Sequence, residues 1–274
     1  MPIHLDSVTD PKQRPGLIAW ILKKGMDECD SVLASDDHLY FHIHKGIVDH
    51  KTNETIGRLV YTIKNDDEHQ QLQLLDLDIV LENAAPSKLR FLKLMDGSSN
   101  ANEYYEVETV DDEQHLVIET VNRHSIPDGL LNTERSVSIS IFPFQLSIYE
   151  NIDKFNQWAG FGKPITVGNT DLKVGGFSER FAMPGAMFSK SNEDDGGYSF
   201  MIGTVKSFRD VRTEFGEFKL DFVLARVDTA VGVVPVAMGR DVFDLAELHQ
   251  DSIVAMNAYV KADLALPNII REFD

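Results

Sequence analysis

The sequence contains a single cysteine, Cys29, among its 274 residues. One thiol cannot form an internal disulfide, which excludes a disulfide framework and favours a reducing compartment. No run of about 18 apolar residues occurs, so no transmembrane helix is predicted. The first six residues also lack the basic and apolar regions of a secretory signal. We therefore expect a cytoplasmic protein that does not enter a membrane.

Positive charge is scarce as well. The chain has 26 Lys and Arg residues against 44 Asp and Glu residues, which gives a formal net charge of −18. Nucleic-acid binding draws much of its affinity from Lys and Arg side chains that displace counterions from phosphates. The charge balance therefore disfavours nucleic acids and anionic membrane surfaces as partners.

Recognised catalytic motifs are missing. The sequence has no G-x-S-x-G elbow, P-loop or dinucleotide-binding fingerprint. The acidic neighbours of Cys29 raise rather than lower a thiol pKa, so this residue is not predicted to be a nucleophile. Three acidic clusters lack the spacing of a calcium loop and are interpreted as turns: 66–68, 111–113 and 193–195. No catalytic residue is predicted.

Alternation of apolar and polar residues dominates residues 1–150. The segment 38–44 alternates along its whole length, which is typical of a strand with one buried face. Similar segments follow at 56–64, 72–81, 88–95, 104–110, 116–121 and 136–149. Pro143 predicts an edge position or a bulge in the last of these. The apolar run 17–22 fits either a strand or one face of a helix. The pattern predicts an antiparallel sandwich or curved sheet over 1–150.

A helix and a connector are predicted for residues 151–199. Asn151 can cap the helix, and Ile152, Phe155 and Trp158 form an apolar face. We expect Phe155 and Trp158 to pack against one of the β-rich regions.

The C-terminal region, residues 200–274, reads strand, turn, strand, turn, strand, helix, strand, which predicts an OB-like barrel. The strands are expected at 199–209, 218–224, 231–237 and 253–266, with a turn at 212–216. Asp241 is predicted to cap a helix over 242–248 that plugs the barrel. A fifth strand comes either from a split of the last segment or from residues near Phe188. The predicted fold class is mainly β.

Several segments between residues 135 and 265 carry a family resemblance. They are 137–144, 149–155, 181–185, 200–208 and 213–218. In their order and apolar positions they resemble a group of uncharacterised proteins from Gram-positive bacteria. In that group a β-rich N-terminal part leads through a short helix and a Pro-Gly turn into an OB-like end. The resemblance implies this arrangement and implies no activity, ligand or catalytic residue.

Histidines provide the one candidate metal site. His38, His42 and His44 share one face of the predicted strand, and alternate histidines on a strand can reach one metal ion. The alternatives are a solvent-facing strand surface and a pH-sensitive contact surface. A divalent metal is the only cofactor considered.

Aromatic residues of the predicted barrel raise the question of nucleic-acid binding. Phe218 and Phe222 alternate with polar residues and are expected to face the core. Arg209, Arg212 and Lys219 form the only local basic cluster, and five acidic residues lie between positions 210 and 228, which disfavours a strand-binding groove.

The predicted function is a non-catalytic binding or assembly module, because two β scaffolds occur without a catalytic constellation. Exposed edge strands would suit a protein partner or self-association. Two alternatives stay open: an enzyme that acts on a carbohydrate or other small neutral ligand through carboxylates or a His-bound metal, and single-stranded nucleic-acid binding through the barrel.

Overall fold

The protein is mainly β, as predicted. The computed structural model describes residues 7–8, 12, 14–25, 27–34, 40–66, 71–82, 85–95, 103–121, 129–161, 164–167, 170–173, 176–185, 197–215 and 218–264. The helical elements are α1 (Arg14–Trp20), a π-helical turn (Ile21–Gly25) and α2 (Ile152–Trp158). None of the helices in this described part is long and apolar enough to cross a membrane.

Most strands occur where the alternating segments predict them, and those at 199–215 and 218–229 are longer than expected. Four strands were not predicted, at 31–34, 164–167, 170–173 and 181–184, and the last three lie in the region that was predicted to be a connector. The described residues form fifteen strands in all. They are β1 (Ser31–Ala34), β2 (Tyr40–Asp49), β3 (Glu54–Asp66), β4 (Gln71–Leu81), β5 (Ser87–Leu94), β6 (Glu103–Thr109), β7 (His115–Thr120), β8 (Glu134–Tyr149), β9 (Pro164–Val167), β10 (Thr170–Lys173), β11 (Phe181–Pro184), β12 (Ser199–Phe215), β13 (Phe218–Thr229), β14 (Gly232–Gly239) and β15 (Ile253–Leu264).

The small sheet is four-stranded, in the order β1-β2-β3-β4, and all of its pairs are antiparallel. Its apolar face packs with α1 and the large sheet in one core that includes Trp20, Leu59, Tyr61, Phe142 and Phe222. In α1 the buried Leu17 and Trp20 are three residues apart. The apolar run 17–22, which fitted either a strand or a helix, therefore begins as a helix whose buried side chains have helical spacing.

The large sheet has nine strands in the order β11-β12-β13-β14-β8-β15-β7-β6-β5. Two additional pairings, β12 with β15 and β8 with β5, close it into two circuits that share β8 and β15. One circuit contains β12, β13, β14, β8 and β15, and the other contains β8, β15, β7, β6 and β5. A continuous apolar core joins the two circuits, with Leu89, Val107, Ile139, Val236 and Val260 among its members.

Strand β8 lies between β14 and β15 and supplies the fifth strand of the C-terminal circuit. The sequence placed β8 in the N-terminal region, so backbone pairing continues across the boundary predicted at residue 150. The register skips one residue where Ala258 pairs with Pro143 and Asn257 with Gln145. This irregularity is the bulge that Pro143 predicted. Residue 188, the other candidate source of a fifth strand, lies outside the described residues.

The helix predicted over 242–248 is wrong. Residues 240–251 form successive turns, in which Gly239 O accepts hydrogen bonds from the N–H groups of Val242 and Phe243. The side chain of Asp244 accepts from Ala246 N at 3.1 Å, and such local bonds compete with a helix. Leu248 is nevertheless buried against the core, so the segment still covers it.

The turn predicted at 212–216 begins later than expected. Strand β12 continues to Phe215, which pairs with Phe218. Phe222 is buried, as predicted, and Phe215 is buried as well. The side chain of Phe218, which was also predicted to face the core, lies outside the described part.

Candidate functional site

The predicted metal-binding histidines lie on β2. His42 is buried, and its Nδ1 lies 3.1 Å from Thr62 Oγ1. His44, two residues further along the strand and on the same face, is half-buried. His38 falls outside the described residues. In the described ranges no group of three or more His, Cys, Asp and Glu side chains is placed to hold a metal ion. The metal site therefore stays a prediction that rests on His42 and His44.

His44 borders a cavity of about 270 Å³. The other lining residues are Asp30, Gly46, Thr55, Gly57, Arg58, Val80, Leu81 and Glu82. Burial, and then the positive charge of Arg58, lower the pKa of His44. Arg58 forms an ion pair with Asp263 of β15. The neutral imidazole is thus favoured, but the neighbouring guanidinium opposes the approach of a metal cation.

Strand pairing places the two histidines on the same face of the small sheet as two aspartates of β4. The cross-strand rows are His42, Thr62 and Asp76, then His44, Val60 and Asp78. This polar face is opposite to the face that carries Ile43, Tyr61 and Leu77 in the core. Asp78 is almost completely buried because β15 of the large sheet lies against it.

A buried ionic cluster joins the two sheets at this point. Lys261 Nζ donates to Asp78 Oδ1 at 2.5 Å and also forms an ion pair with Glu119. The exposed fractions of the three side chains are 1% for Lys261, 2% for Asp78 and 4% for Glu119. Glu119 is on β7, directly beside Lys261 in the ladder. We call these three residues, together with the half-buried Asp76 two positions before Asp78 on the same face of β4, the buried ionic cluster.

The carboxyl groups of the buried ionic cluster compete for one cation. Burial, followed by repulsion from Asp78, raises the pKa of Asp76 to about 8. Burial also raises the pKa of Glu119, against the attraction of Lys261. For Lys261, burial opposes the charged form, but Asp78 and Glu119 outweigh it and raise the pKa. The cluster therefore holds a proton near neutral pH in addition to the ion pairs.

Sequence reasoning did not select any member of the buried ionic cluster. The available signals are weak and local: Lys261 stands between the buried Val260 and Ala262, and Asp76 and Asp78 interrupt an apolar strand. Charged residues in such positions are rarely buried unless they are paired. The pairing joins residues 183 positions apart, so no local pattern could reveal it.

An aromatic surface forms around α2 on the outside of the large sheet. Ring contacts connect seven side chains: Tyr149, Phe155, Trp158, Phe161, Phe177, Phe181 and Phe200. We call this group the Trp158 surface. Asn151 caps α2 as predicted, because its Oδ1 accepts from Lys154 N at 3.0 Å. The cap fixes the start of the short helix and hence the positions of Phe155 and Trp158.

Trp158 is the most exposed large apolar side chain described, at 70%. Phe155, three residues earlier, is only 2% exposed and packs with Ile202, Ile253 and Ala255. The expectation that both side chains would be packed is therefore correct for Phe155 and wrong for Trp158. Trp158 is the last residue of this short helix; its ring contacts those of Tyr149 and Phe155 but leaves most of its surface in water.

The surroundings of the Trp158 surface are polar. Glu150, Asp153 and Glu179 are exposed carboxylates nearby in sequence, and Lys154 is exposed too. Arg180 is bound to Asp228, with Nη2 2.7 Å from Oδ2. An exposed apolar ring with exposed, mainly acidic residues close to it in sequence is a composition found at interaction sites.

The three basic residues singled out in the C-terminal region, Arg209, Arg212 and Lys219, are each paired with a carboxylate. Arg209 binds Glu54, with Nη1 to Oε2 at 2.5 Å, and Arg212 binds Asp221 at 3.0 Å. Lys219 lies 3.2 Å from Glu214. Their charges are already compensated, and this arrangement gives no support to a phosphate-binding groove.

Comparisons of the whole chain with protein-family models, with curated proteins and with solved structures give no match. The OB-like designation of the C-terminal circuit and the resemblance to Gram-positive proteins therefore stay predictions.

Proposed function

We propose that the protein is a non-catalytic binding module that recognises a protein partner through the Trp158 surface. The observation that carries this proposal is the 70% exposure of Trp158 next to the buried Phe155. Leaving a large indole in water sacrifices apolar burial that a partner can supply. Tryptophan is also enriched among the residues that dominate binding energies.

The ring of Trp158 packs against two other aromatic rings, and this packing favours binding. Its centroid lies 6.1 Å from that of Phe155, with the rings at 29°, and 5.7 Å from that of Tyr149. A side chain held in this way loses little conformational entropy when a partner covers it. The surface is therefore pre-organised for contact.

The chemistry of the partner follows from the rim and the overall charge. An apolar pocket surrounded by Lys and Arg would cover the indole and face the acidic side chains of α2. The net charge of −18 also speeds association with a basic surface and opposes association of two copies. We propose a basic protein partner in the reducing cytoplasm, where the free thiol of Cys29 would persist.

Affinity capture followed by a solution titration tests this proposal. Immobilised wild-type protein, Trp158→Ala and Phe208→Ala are exposed to the same cell extract. Phe208 is a matched control because it is also an exposed aromatic residue, at 43%. We expect a partner that wild type and Phe208→Ala retain and Trp158→Ala loses.

The captured partner is then purified and titrated in solution. Replacement of Trp158 should weaken its dissociation constant by at least about tenfold, and Phe208→Ala should leave it unchanged. Equal affinities for wild type and Trp158→Ala would overturn the proposal. Concentration-dependent dimerisation that Trp158→Ala abolishes would overturn the choice of partner and identify a second copy instead.

A further inference from the structure

The buried ionic cluster carries an inference that is independent of the proposed function. Lys261, Asp78 and Glu119 belong to three strands, β15, β4 and β7, and meet at one point between the two sheets. The amine is within hydrogen-bond distance of a carboxyl group that belongs to the other sheet. We propose that Lys261 and Asp78 form an intramolecular amide bond, with Glu119 as the proton carrier.

The reaction is a condensation that balances without any co-reactant. The nitrogen of the neutral Lys261 amine attacks the carboxyl carbon of protonated Asp78. A new C–N bond forms, one C–O bond breaks, and the departing hydroxyl leaves as water. The ammonium and carboxylate of the ion pair contain the same atoms as the amide and one water molecule. Nothing is oxidised or reduced.

Glu119 is placed to move the protons. It lies beside Lys261 in the ladder and forms an ion pair with the same amine. Its carboxylate takes one proton from the ammonium, which frees the nitrogen lone pair, and passes this proton to the carboxylate of Asp78. After the attack it passes the second N–H proton to the departing hydroxyl, which leaves as water. Burial favours the protonated form of Glu119 and raises its pKa, which supports this role.

Asp76 supplies a second nearby site for a proton. Its pKa is raised to about 8, so the cluster near pH 7 has a carboxylic acid next to Asp78. The cluster thus contains an amine, an acceptor carboxyl and two proton reservoirs.

The surroundings exclude water and favour the product. Val80 and Val121, each two residues beyond a member of the cluster, pack with Val60 in a small apolar group beside it. Ion pairs lose solvation when buried, and a neutral amide removes both charges from the interior. Fixed proximity also raises the effective concentration of the two groups, to about 10⁵ M or more in well-oriented cases.

Intact-mass spectrometry of the reduced and denatured full chain tests the bond. We expect wild-type protein to be lighter than its sequence by the mass of one water molecule. Proteolysis should yield a branched peptide that links Lys261 with Asp78, and the closed loop should make the denatured chain migrate faster in gels.

Variants distinguish the amide from other losses of water. Lys261→Arg and Glu119→Gln keep the hydrogen-bonding capacity and should show the full mass of their sequences. Asp78→Asn offers a different leaving group and should lose the mass of one ammonia instead. Circular dichroism of each variant before denaturation confirms that it is folded.

A wild-type mass equal to that of the sequence would overturn the inference. So would a missing water that persists in folded Lys261→Arg, because the loss would then come from another site. A branched peptide that joins Lys261 to Glu119 would overturn the assignment of Asp78 as acceptor.

Discussion

Phe155 and Trp158 stack on each other although one side chain is buried and the other is exposed. Their ring centroids are 6.1 Å apart, yet Phe155 is 2% exposed and Trp158 is 70% exposed. The pair places an apolar stack of two rings on the outer surface of the large sheet. Five consequences of this structure can be measured.

Tryptophan fluorescence should separate the two indoles of the chain. Trp20 is 8% exposed in the core, whereas Trp158 is largely in water. In Trp20→Phe protein, the remaining emission should be red-shifted and strongly quenched by acrylamide. Trp158→Phe protein should show blue-shifted emission with weak quenching. Similar quenching in both variants would contradict the exposure of Trp158.

Loss of Lys261 should destabilise the protein strongly. Lys261→Met leaves Asp78 and Glu119 buried with neither a cation nor the proposed amide bond, and removal of one partner from a buried ion pair typically costs about 3–5 kcal/mol. Urea unfolding followed by circular dichroism measures the change. An exposed pair, Lys219 with Glu214, provides the control: Lys219→Met should cost at most about 1 kcal/mol, because surface ion pairs contribute little. Equal effects would show that the cluster contributes no more than a surface pair.

Asp76 should make stability fall as the pH rises. An unperturbed aspartate has a pKa of 3.8, whereas burial and Asp78 raise the pKa of Asp76 to about 8 in the folded protein. The folded state therefore binds this proton more tightly than the unfolded state does. The stabilisation from this proton is complete below the pKa of the unfolded state and is lost as the pH rises through the pKa of the folded state. The slope for one proton is at most about 1.4 kcal/mol per pH unit.

Asp76→Asn should reduce this slope and be more stable than wild type at neutral pH. Urea unfolding at several values between about pH 5 and about pH 8 measures it. Asp112→Asn, in an exposed turn, should keep the wild-type slope. If Asp76→Asn also kept the wild-type slope, Asp76 would not hold the proton.

Gly57 should not tolerate a side chain. A Cβ atom at this position would lie 2.3 Å from the backbone oxygen of Val80, because β3 and β4 approach closely there. Gly57→Ala should therefore cost about 3 kcal/mol or more in thermal or urea unfolding. Gly16→Ala is the matched control, since nothing lies within 4 Å in helix α1. It should be neutral or stabilising by up to about 1 kcal/mol.

His44 should titrate below the ordinary range of histidine. Burial and the charge of Arg58 both lower its pKa. NMR titration of the imidazole resonances should place the pKa of His44 below 6.5, the ordinary value for histidine, and Arg58→Gln should raise the pKa of His44. Because the folded pKa is lowered, His44 favours folding as the pH rises through the ordinary histidine range. A titration of His44 that does not respond to Arg58→Gln would contradict the proximity of the two charges.

Much of the fold could be predicted from the sequence because its signals are local. Alternation located β2 to β8, and Asn151 located the start of α2. The segment after Asp241 misled the prediction, since helical spacing of Val242, Leu245 and Leu248 also arises in turns that cover a core. The central place of β8 depends on pairing with β14 and β15, and such long-range pairing leaves no mark in a single strand.

The candidate sites were less predictable for the same reason. The histidines of β2 were visible as a pattern, whereas Arg58, which sets the charge beside His44, lies on the next strand. Lys261 meets Asp78 only after both sheets have formed. Trp158 had the right spacing for a buried face, but burial depends on how far the underlying strands extend. Sequence periodicity does not contain that information.

The central claim is that a partner binds over Trp158. Acrylamide quenching of Trp20→Phe protein, measured with and without the purified partner, tests this claim most directly. If the partner contains tryptophan, its own fluorescence is subtracted. We predict that quenching of Trp158 falls to the level of a buried indole at saturation. Quenching that stays at the level of the free protein while the partner is bound would contradict the claim.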